Sequence, residues 1–329
     1  MSNDNNLLVA SSPHLHSEDN VKYAMRDVAI ALLPISAVSI YWFGLNALFL
    51  IVLCMATAAL TEVVFRRMLN RPKKRFDGSV MVTGLLVALC FSVETGWWTA
   101  IIATVIAVGI AKELMGGLGW NLFNPALFGR VSAVVFAPLL LNQVNRVFSS
   151  LNFSLGQVDV VSQATPLALI QQGGQLPPLG AMFLAFPGGA LAETSALALI
   201  IGGAFLLYRK HIRWHIPVAM IGTVAVMALI FETSRYGVSA PFYHVFGGGV
   251  LLGAFFMATD WVTSPITNKG KLIFGVSIGL LIMIFRLFLA PVEGTAFSIL
   301  IMNAFVPFID RATKRPRFGE AKAAVRVEA

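Results

Sequence analysis

Asp77, Glu193 and Asp260 are carboxylates that open or close apolar runs, and Arg130 and Arg286 are guanidinium groups inside such runs. A charge buried at lipid depth is costly, so each is a functional candidate by default. The carboxylates could line an ion path or touch a cofactor. The arginines could pair with a phosphate or a buried carboxylate, and structural pairing accounts for them equally well. A second chemistry-bearing stretch runs Asp159-Val-Val-Ser162-Gln163-Ala164-Thr165-Pro166 within residues 142–192, the longest stretch without an apolar span. A threonine hydroxyl has no useful pKa of its own. By residue type alone this is a polar loop in which Thr165 caps a helix that starts at Pro166.

The elements that position these residues follow from composition. Of 329 residues, 57% are apolar and 12% charged, with a mean hydropathy of +0.78. Soluble domains carry roughly twice that charge density, so lipid is the solvent for most of the chain. That excludes a soluble dinucleotide-binding or barrel enzyme. A bilayer core asks for about 20 apolar residues per helix. Apolar runs fall near 28–43, 45–65, 79–93, 97–111, 126–141, 194–208, 216–232, 243–258, 272–289 and 294–309. The expectation is an all-α polytopic membrane protein of about ten transmembrane segments, some short or broken. Residues 1–26 form a polar N-terminal segment without the basic start and early apolar core of a secretory signal. Residues 27–310 are the membrane domain, and residues 311–329 are a basic tail.

The cations set the expected orientation. Of 24 Lys and Arg, six lie in Arg66–Arg75, six follow Asp310, and eight more fall at Lys22/Arg26, Lys112, Arg209/Lys210/Arg213 and Lys269/Lys271, leaving Arg130, Arg146, Arg235 and Arg286 outside. With both termini in the cytoplasm and ten crossings, these 20 share one side, which is the positive-inside pattern. The basic balance therefore reads as topology and not as nucleic-acid binding. The loop 142–192 then lies outside the cytoplasm.

An internal echo links the two halves. Asp77-Gly-Ser, a short apolar run and Trp98 recur 116 residues later as Glu193-Thr194-Ser, another apolar run and Trp214. In the charge-derived topology the two units run in opposite directions, as in an inverted repeat built around broken helices. Chance similarity of apolar sequence is the plainer alternative. Gly116, Gly117, Asn121 and Asn124 crowd one break, and Gly247-Gly-Gly through Thr259-Asp260 and Ser264-Pro another. Irregular backbone survives in lipid only when buried in protein or facing a polar cavity. Tight helix crossings explain the glycines alone. Cys54 and Cys90 lie in separate apolar runs and read as packing residues, with ligation of a cluster shared with a neighbour as the alternative.

The spacing of Asp159, Ser162, Ala164 and Thr165 resembles the site at which a flavin transferase esterifies the phosphate of FMN to a threonine hydroxyl. With Ser12-Pro-His, Asp77-Gly-Ser, Gly116-Gly-Leu-Gly through Asn124-Pro-Ala, Glu193-Thr-Ser, Thr259-Asp through Ser264-Pro and Met302-Asn-Ala-Phe-Val-Pro-Phe-Ile-Asp310 in one order, nearly the whole chain resembles the D-subunit family of the Rnf complex. The B subunit of the sodium-pumping NADH:quinone reductase is a close relative of that family. Gln163 stands where the family usually has glycine. The resemblance implies covalent FMN on Thr165, with Asp159, Ser162 and Ala164 as its recognition residues, on the outer side of a bacterial inner membrane. It implies electron transfer between ferredoxin and NAD coupled to Na+ or H+ translocation. Its partners would be the A, B, C, E and G subunits, above all the FMN-bearing G subunit, with membrane lipid and the maturing transferase. Gly116, Gly117, Asn121, Asn124, Glu193, Thr194 and Asp260 are further candidate cofactor contacts, and a second, non-covalent flavin (riboflavin) is a candidate ligand of the 116–125 region. A secondary transporter or channel without a redox cofactor is the rival expectation, because inverted halves and glycine-rich breaks suit it too.

Overall fold

The computed structural model describes residues 21–71, 77–136, 177–186, 188–289 and 294–314. Asp159, Ser162, Gln163, Ala164 and Thr165 lie outside the described residues, as do most of the 142–192 loop, residues 1–20 and residues 315–329.

All regular elements among the described residues are helices. α1 (Val21–Met68) is broken at Gly44, whose φ of 62° and ψ of −145° leave the helical region. Glycine adopts that conformation without steric cost, so the expected segments 28–43 and 45–65 become its two halves. α2 (Ser79–Leu89) and α3 (Trp97–Val105) follow, and α3 continues as a π-helix over Ile106–Leu114. Then come α4 (Pro125–Phe136), α5 (Leu179–Leu184), a 3-10 turn at Leu191–Glu193, α6 (Ala196–Tyr208) and α7 (His215–Tyr236). α8 (Ala240–Phe246) leads into α9 (Val250–Leu252), which is prolonged by a π-helix over Gly253–Met257. α10 (Asn268–Ile284) is extended by a π-helix over Phe285–Leu289, and α11 (Gly294–Ala312) is the last described helix.

All ten expected segments fall on helices, but they differ in length. Five helices (α1, α3, α7, α10 and α11, two with their π-extensions) are long and apolar enough to cross a membrane. The stretch from Gly237 through α8 and the α9 pair, bent by 58°, makes six if taken as one span. α2, α4 and α6 are shorter apolar helices, which a full bilayer core would outreach. Leu33, Leu60, Val226, Ile230 and Val276 are exposed on the outward faces. So much exposed apolar surface is rare on a soluble monomer and fits contact with lipid.

The short helices pair in opposite directions. Leu191 N–H, at the entry to α6, donates to the Phe91 carbonyl just beyond the end of α2 (2.9 Å). The start of α2 and the end of α6, Ser79 and Leu206, line one cavity, whereas Leu89 and Glu193, from the opposite ends, line another. α4 and the α9 π-segment are likewise opposed, because Asn124 before α4 donates to the carbonyl of Met257 at the far end of that segment (3.1 Å). Both pairs have the antiparallel geometry that an inverted duplication requires.

Small residues let these helices close on one another. A Cβ on Gly202 of α6 would collide with the Ala31 carbonyl of α1 and come within 2.9 Å of the Phe256 ring. On α10, a Cβ on Gly275 would sit 2.9 Å from the Ile216 carbonyl and one on Gly279 2.9 Å from the Met220 carbonyl, both on α7. Between helices in lipid, close packing of this kind carries much of the association. Gly202→Ala should therefore destabilise the purified protein by about 1–3 kcal/mol through overpacking, read as a lower Tm in detergent. Gly222→Ala, which meets nothing within 4 Å, should leave the Tm unchanged or raise it.

Candidate functional site

The residues with chemical potential gather at the two ends of the opposed half-helices. The first end begins at Asp77. Its carboxylate accepts from the Ser79 N–H (3.1 Å) and hydroxyl (2.8 Å), which fixes the start of α2. The Ser79 oxygen in turn accepts from the Lys112 ammonium (2.9 Å), which also lies 3.4 Å from a Glu62 carboxylate oxygen. Lys112 is 1% exposed, as is Glu113, which faces Arg71 at 3.4 Å and Arg66 at 3.8 Å. Sequence alone puts Lys112 in a loop. Instead the π-helical end of α3 carries it into the protein, and π-segments are frequent at functional sites. A buried ammonium survives only with such partners.

The glycine-rich break follows. Gly116, Gly117 and Gly119 have φ of 127°, 92° and 98°, and they form the turn that brings Asn121 and Asn124 back under the helices. Asn124 caps α4, its Oδ1 accepting from the N–H groups of Ala126 (3.0 Å) and Leu127 (3.4 Å), with Pro125 at the first helical position. Its own N–H donates to the side-chain oxygen of Asn303 on α11 (3.1 Å), whose amide nitrogen donates to the Thr263 carbonyl (3.1 Å). The Asp260 carboxylate accepts from the Thr263 hydroxyl (3.1 Å). Loss of water around Asp260 pushes its carboxyl above the usual range, and hydrogen bonds from Thr263, the Val262 and Trp261 backbone and Asn121 oppose that rise.

These groups surround the first cavity, with Ser79, Lys112, Asn121, His211, Asp260 and Trp261 in its wall. His211 is held by Asp27 of α1 (2.8 Å), which also accepts from Arg209 (2.8 Å), and the Trp261 indole donates to the His211 carbonyl (2.7 Å). The wall combines these polar groups with Phe255, Phe256 and Trp261. Asn121 Oδ1 is buried without a partner among the described residues, which leaves an acceptor for a ligand N–H.

The second end is organised by Arg286. Its guanidinium donates to the carbonyls of His244 (2.6 Å), Gly247 (3.1 Å) and Gly248 (3.3 Å), and the Thr295 hydroxyl donates to the Gly248 carbonyl (2.8 Å). Those carbonyls close α8 where the chain bends, with Gly248 and Gly249 at φ of 65° and 68°. Gly248, Gly249, Glu193, Arg130, Cys90 and Thr295 line the second cavity. Arg130 stacks over the Phe91 ring at 4.9 Å. Thr194 is fully buried, its hydroxyl donating to the Leu191 carbonyl (2.7 Å) and its carbonyl accepting from Phe186 N–H (2.7 Å).

The sequence-derived candidates therefore separate. Asn121, Asn124 and Asp260 share the first cavity, with Gly116 and Gly117 forming the turn beside it, while Glu193 lies at the second and Thr194 braces the turn next to it. Lys112, Ser79, His211 and Asn303 were not singled out by sequence reasoning. The adjacent charges Lys112-Glu113 at the end of an apolar run were the one available signal.

Residues 8–319 match the model of the NQR2, RnfD, RnfE family. The D subunit of the Na(+)-translocating ferredoxin:NAD(+) oxidoreductase complex of Acetobacterium woodii is 40% identical over 97% of this chain and 98% of its own length. Its counterpart in the proton-translocating complex of Clostridium ljungdahlii is 38% identical over 94% of this chain and 96% of its own. The D subunit of the ion-translocating oxidoreductase complex of Cronobacter sakazakii is 37% identical over 94% and 97%.

Two measurements check the first cavity. Asn124→Ala removes a helix cap and the bond to Met257, and should cost about 2 kcal/mol, seen as a lower Tm. Asp260 holds its proton more tightly when folded, so its contribution to stability is full below its ordinary pKa of about 3.9 and lost as pH rises through the elevated value. The Tm of Asp260→Asn should accordingly gain on that of the unaltered protein as pH rises from about 4 to about 7. A difference that stays flat over this range would contradict the assignment.

Proposed function

Because the chain belongs to the NQR2, RnfD, RnfE family, we propose that it is the membrane subunit of an ion-pumping complex that carries electrons between ferredoxin and NAD. The observation that carries this reading is the Asp159, Ser162, Ala164, Thr165 spacing, set in a chain 40% identical to the D subunit from Acetobacterium woodii. The Thr165 hydroxyl takes the FMN phosphate as an ester, which keeps the cofactor from diffusing away. Flavin, when bound, supplies one- and two-electron transfer, while the protein supplies position and electrostatics. Relatives of nearly equal identity are named for Na+ and for proton translocation, so the coupling ion here is Na+ or H+.

The two cavities fit this role. The first offers Lys112, Asn121, His211 and Asp260 to a second, non-covalent flavin. Lys112 would place positive charge near the ring, and Asn121 Oδ1 would accept from its N–H. Asp77, Glu193 and Asp260 remain the carboxylates for ion-path contacts. The charge-derived topology puts the cation clusters, Lys112 among them, on the cytoplasmic side, which supports a cytoplasmic first cavity and an outward-facing 142–192 loop. The full crossings then number about ten, with each half of α1 as one and the short helices as broken ones. The partners are the A, B, C, E and G subunits, and a flavin transferase matures the chain.

A second reading, a secondary transporter, draws on the opposed half-helices with a cavity at each end. One experiment separates the two. The complex, purified from cells with an active flavin transferase and run on a denaturing gel, should give a fluorescent band at this subunit's mass. That band should vanish in Thr165→Ala, and mass spectrometry should find FMN on the Thr165 peptide. A dark band from the unaltered chain would sink the redox reading and favour the transporter.

A further inference from the structure

The starts of α7 and α10 and the end of α11 meet in a groove outside both cavities. Arg213, Lys271, Arg311 and Lys314 line it, with Asp310 as the one carboxylate in its wall among the described residues. The frame is tied by short bonds. Arg213 donates to the Asn268 side-chain oxygen (3.0 Å), the Thr267 and Thr313 hydroxyls share a bond of 2.6 Å, and Asp310 accepts from the Ile266 N–H (3.0 Å). One oxygen of Asp310 is therefore committed to the backbone. No ion pair joins any of the four cations to a carboxylate among the described residues. Four cations facing one acid repel one another, and an anion in the groove relieves that repulsion.

The surroundings indicate which anion. The same helices carry exposed apolar side chains: Ile273 (48% exposed) on α10, Phe308 (62%) on α11 and Val218 (56%) on α7. Arg311 lies three residues from Phe308, so a cation and exposed apolar surface share one face of α11 within about one helical turn. A soluble phosphate would use only the charged part. A phospholipid would use both, its phosphate against the guanidinium and ammonium groups and its acyl chains along the apolar faces. Basic pockets between membrane helices are a recognised setting for anionic headgroups.

We propose that this groove binds the headgroup of an anionic phospholipid at the edge of the bundle, with charge removed from Lys271 and Arg311 weakening it most directly. The test uses the intact purified complex with photoactivatable phosphatidylglycerol or photoactivatable phosphatidylcholine in mixed micelles, followed by peptide mapping of the crosslinks. Phosphatidylglycerol should label the peptides around Lys271 and Arg311 at lower lipid concentration than phosphatidylcholine. Each cation removed in Lys271→Gln or Arg311→Gln should raise the half-saturating concentration about fivefold, while Lys271→Arg should restore it. Since the comparison of the two lipids needs no variant, a variant that misfolds leaves the test intact. Equal labelling by both lipids would overturn the proposal. So would no labelling, as expected if a protein partner covers the groove, or full displacement by inorganic phosphate at the ionic strength of a chloride control.

Discussion

A peptide group that leaves a helix inside a membrane has no water to turn to, and this chain interrupts its helices repeatedly at that depth. The structure rests on how those freed groups are satisfied. Arg286 supplies donors for the carbonyls at the end of α8, and Thr295 adds another. Asn124 closes the start of α4 with its oxygen while its nitrogen takes the last carbonyl of the α9 π-segment. Phe91 and Leu191 satisfy each other across the junction of α2 and α6. An unsatisfied group would cost several kcal/mol in hydrocarbon. These breaks persist because their freed groups have named partners, and two of the partners, Asn124 and Thr295, each line a cavity.

The same constraint explains the placement of charge. Lys112 and Glu113 are adjacent in sequence yet buried toward different partners, the lysine to Ser79 and Glu62, the glutamate to Arg66 and Arg71. At the basic end, Asp27 gathers Arg209 and His211. Replacing one member of such a set leaves the other charge stranded, which is costlier than never burying the pair. Polar groups at the cavity walls are thus fixed in position before any ligand arrives.

Much of this was readable from the chain. The interruption between the first two apolar runs matched Gly44, and the apolar runs that follow Asp77 and Glu193 fall on two short helices, α2 and α6. Local composition carries that information, because apolar length and helix-starting residues are local properties. The burial of Lys112 was not legible. It depends on a π-helical turn and on Glu62, which lies far earlier in the chain. Nor could sequence show that Arg286 serves backbone carbonyls, since every residue has one. The separation of Asp260 from Glu193 into different cavities likewise arises from contacts such as Asn124 to Met257, made between distant parts of the chain. Thr165 carries the most specific signal in the sequence, and it rests on resemblance and spacing alone because it lies outside the described residues.

The junction of α2 and α6 has a mechanical consequence. Ser39 of α1 also donates to the Leu191 carbonyl (2.8 Å), so α1, the end of α2 and the entry to α6 are riveted at one residue. Sliding one half of the molecule past the other would tear those bonds open in a medium that offers no replacement. A solute carrier must make such a stroke in every cycle. Under the redox reading proposed above, an electron would cross by tunnelling through a frame that stands still, and a riveted joint would hold donor and acceptor at a constant gap.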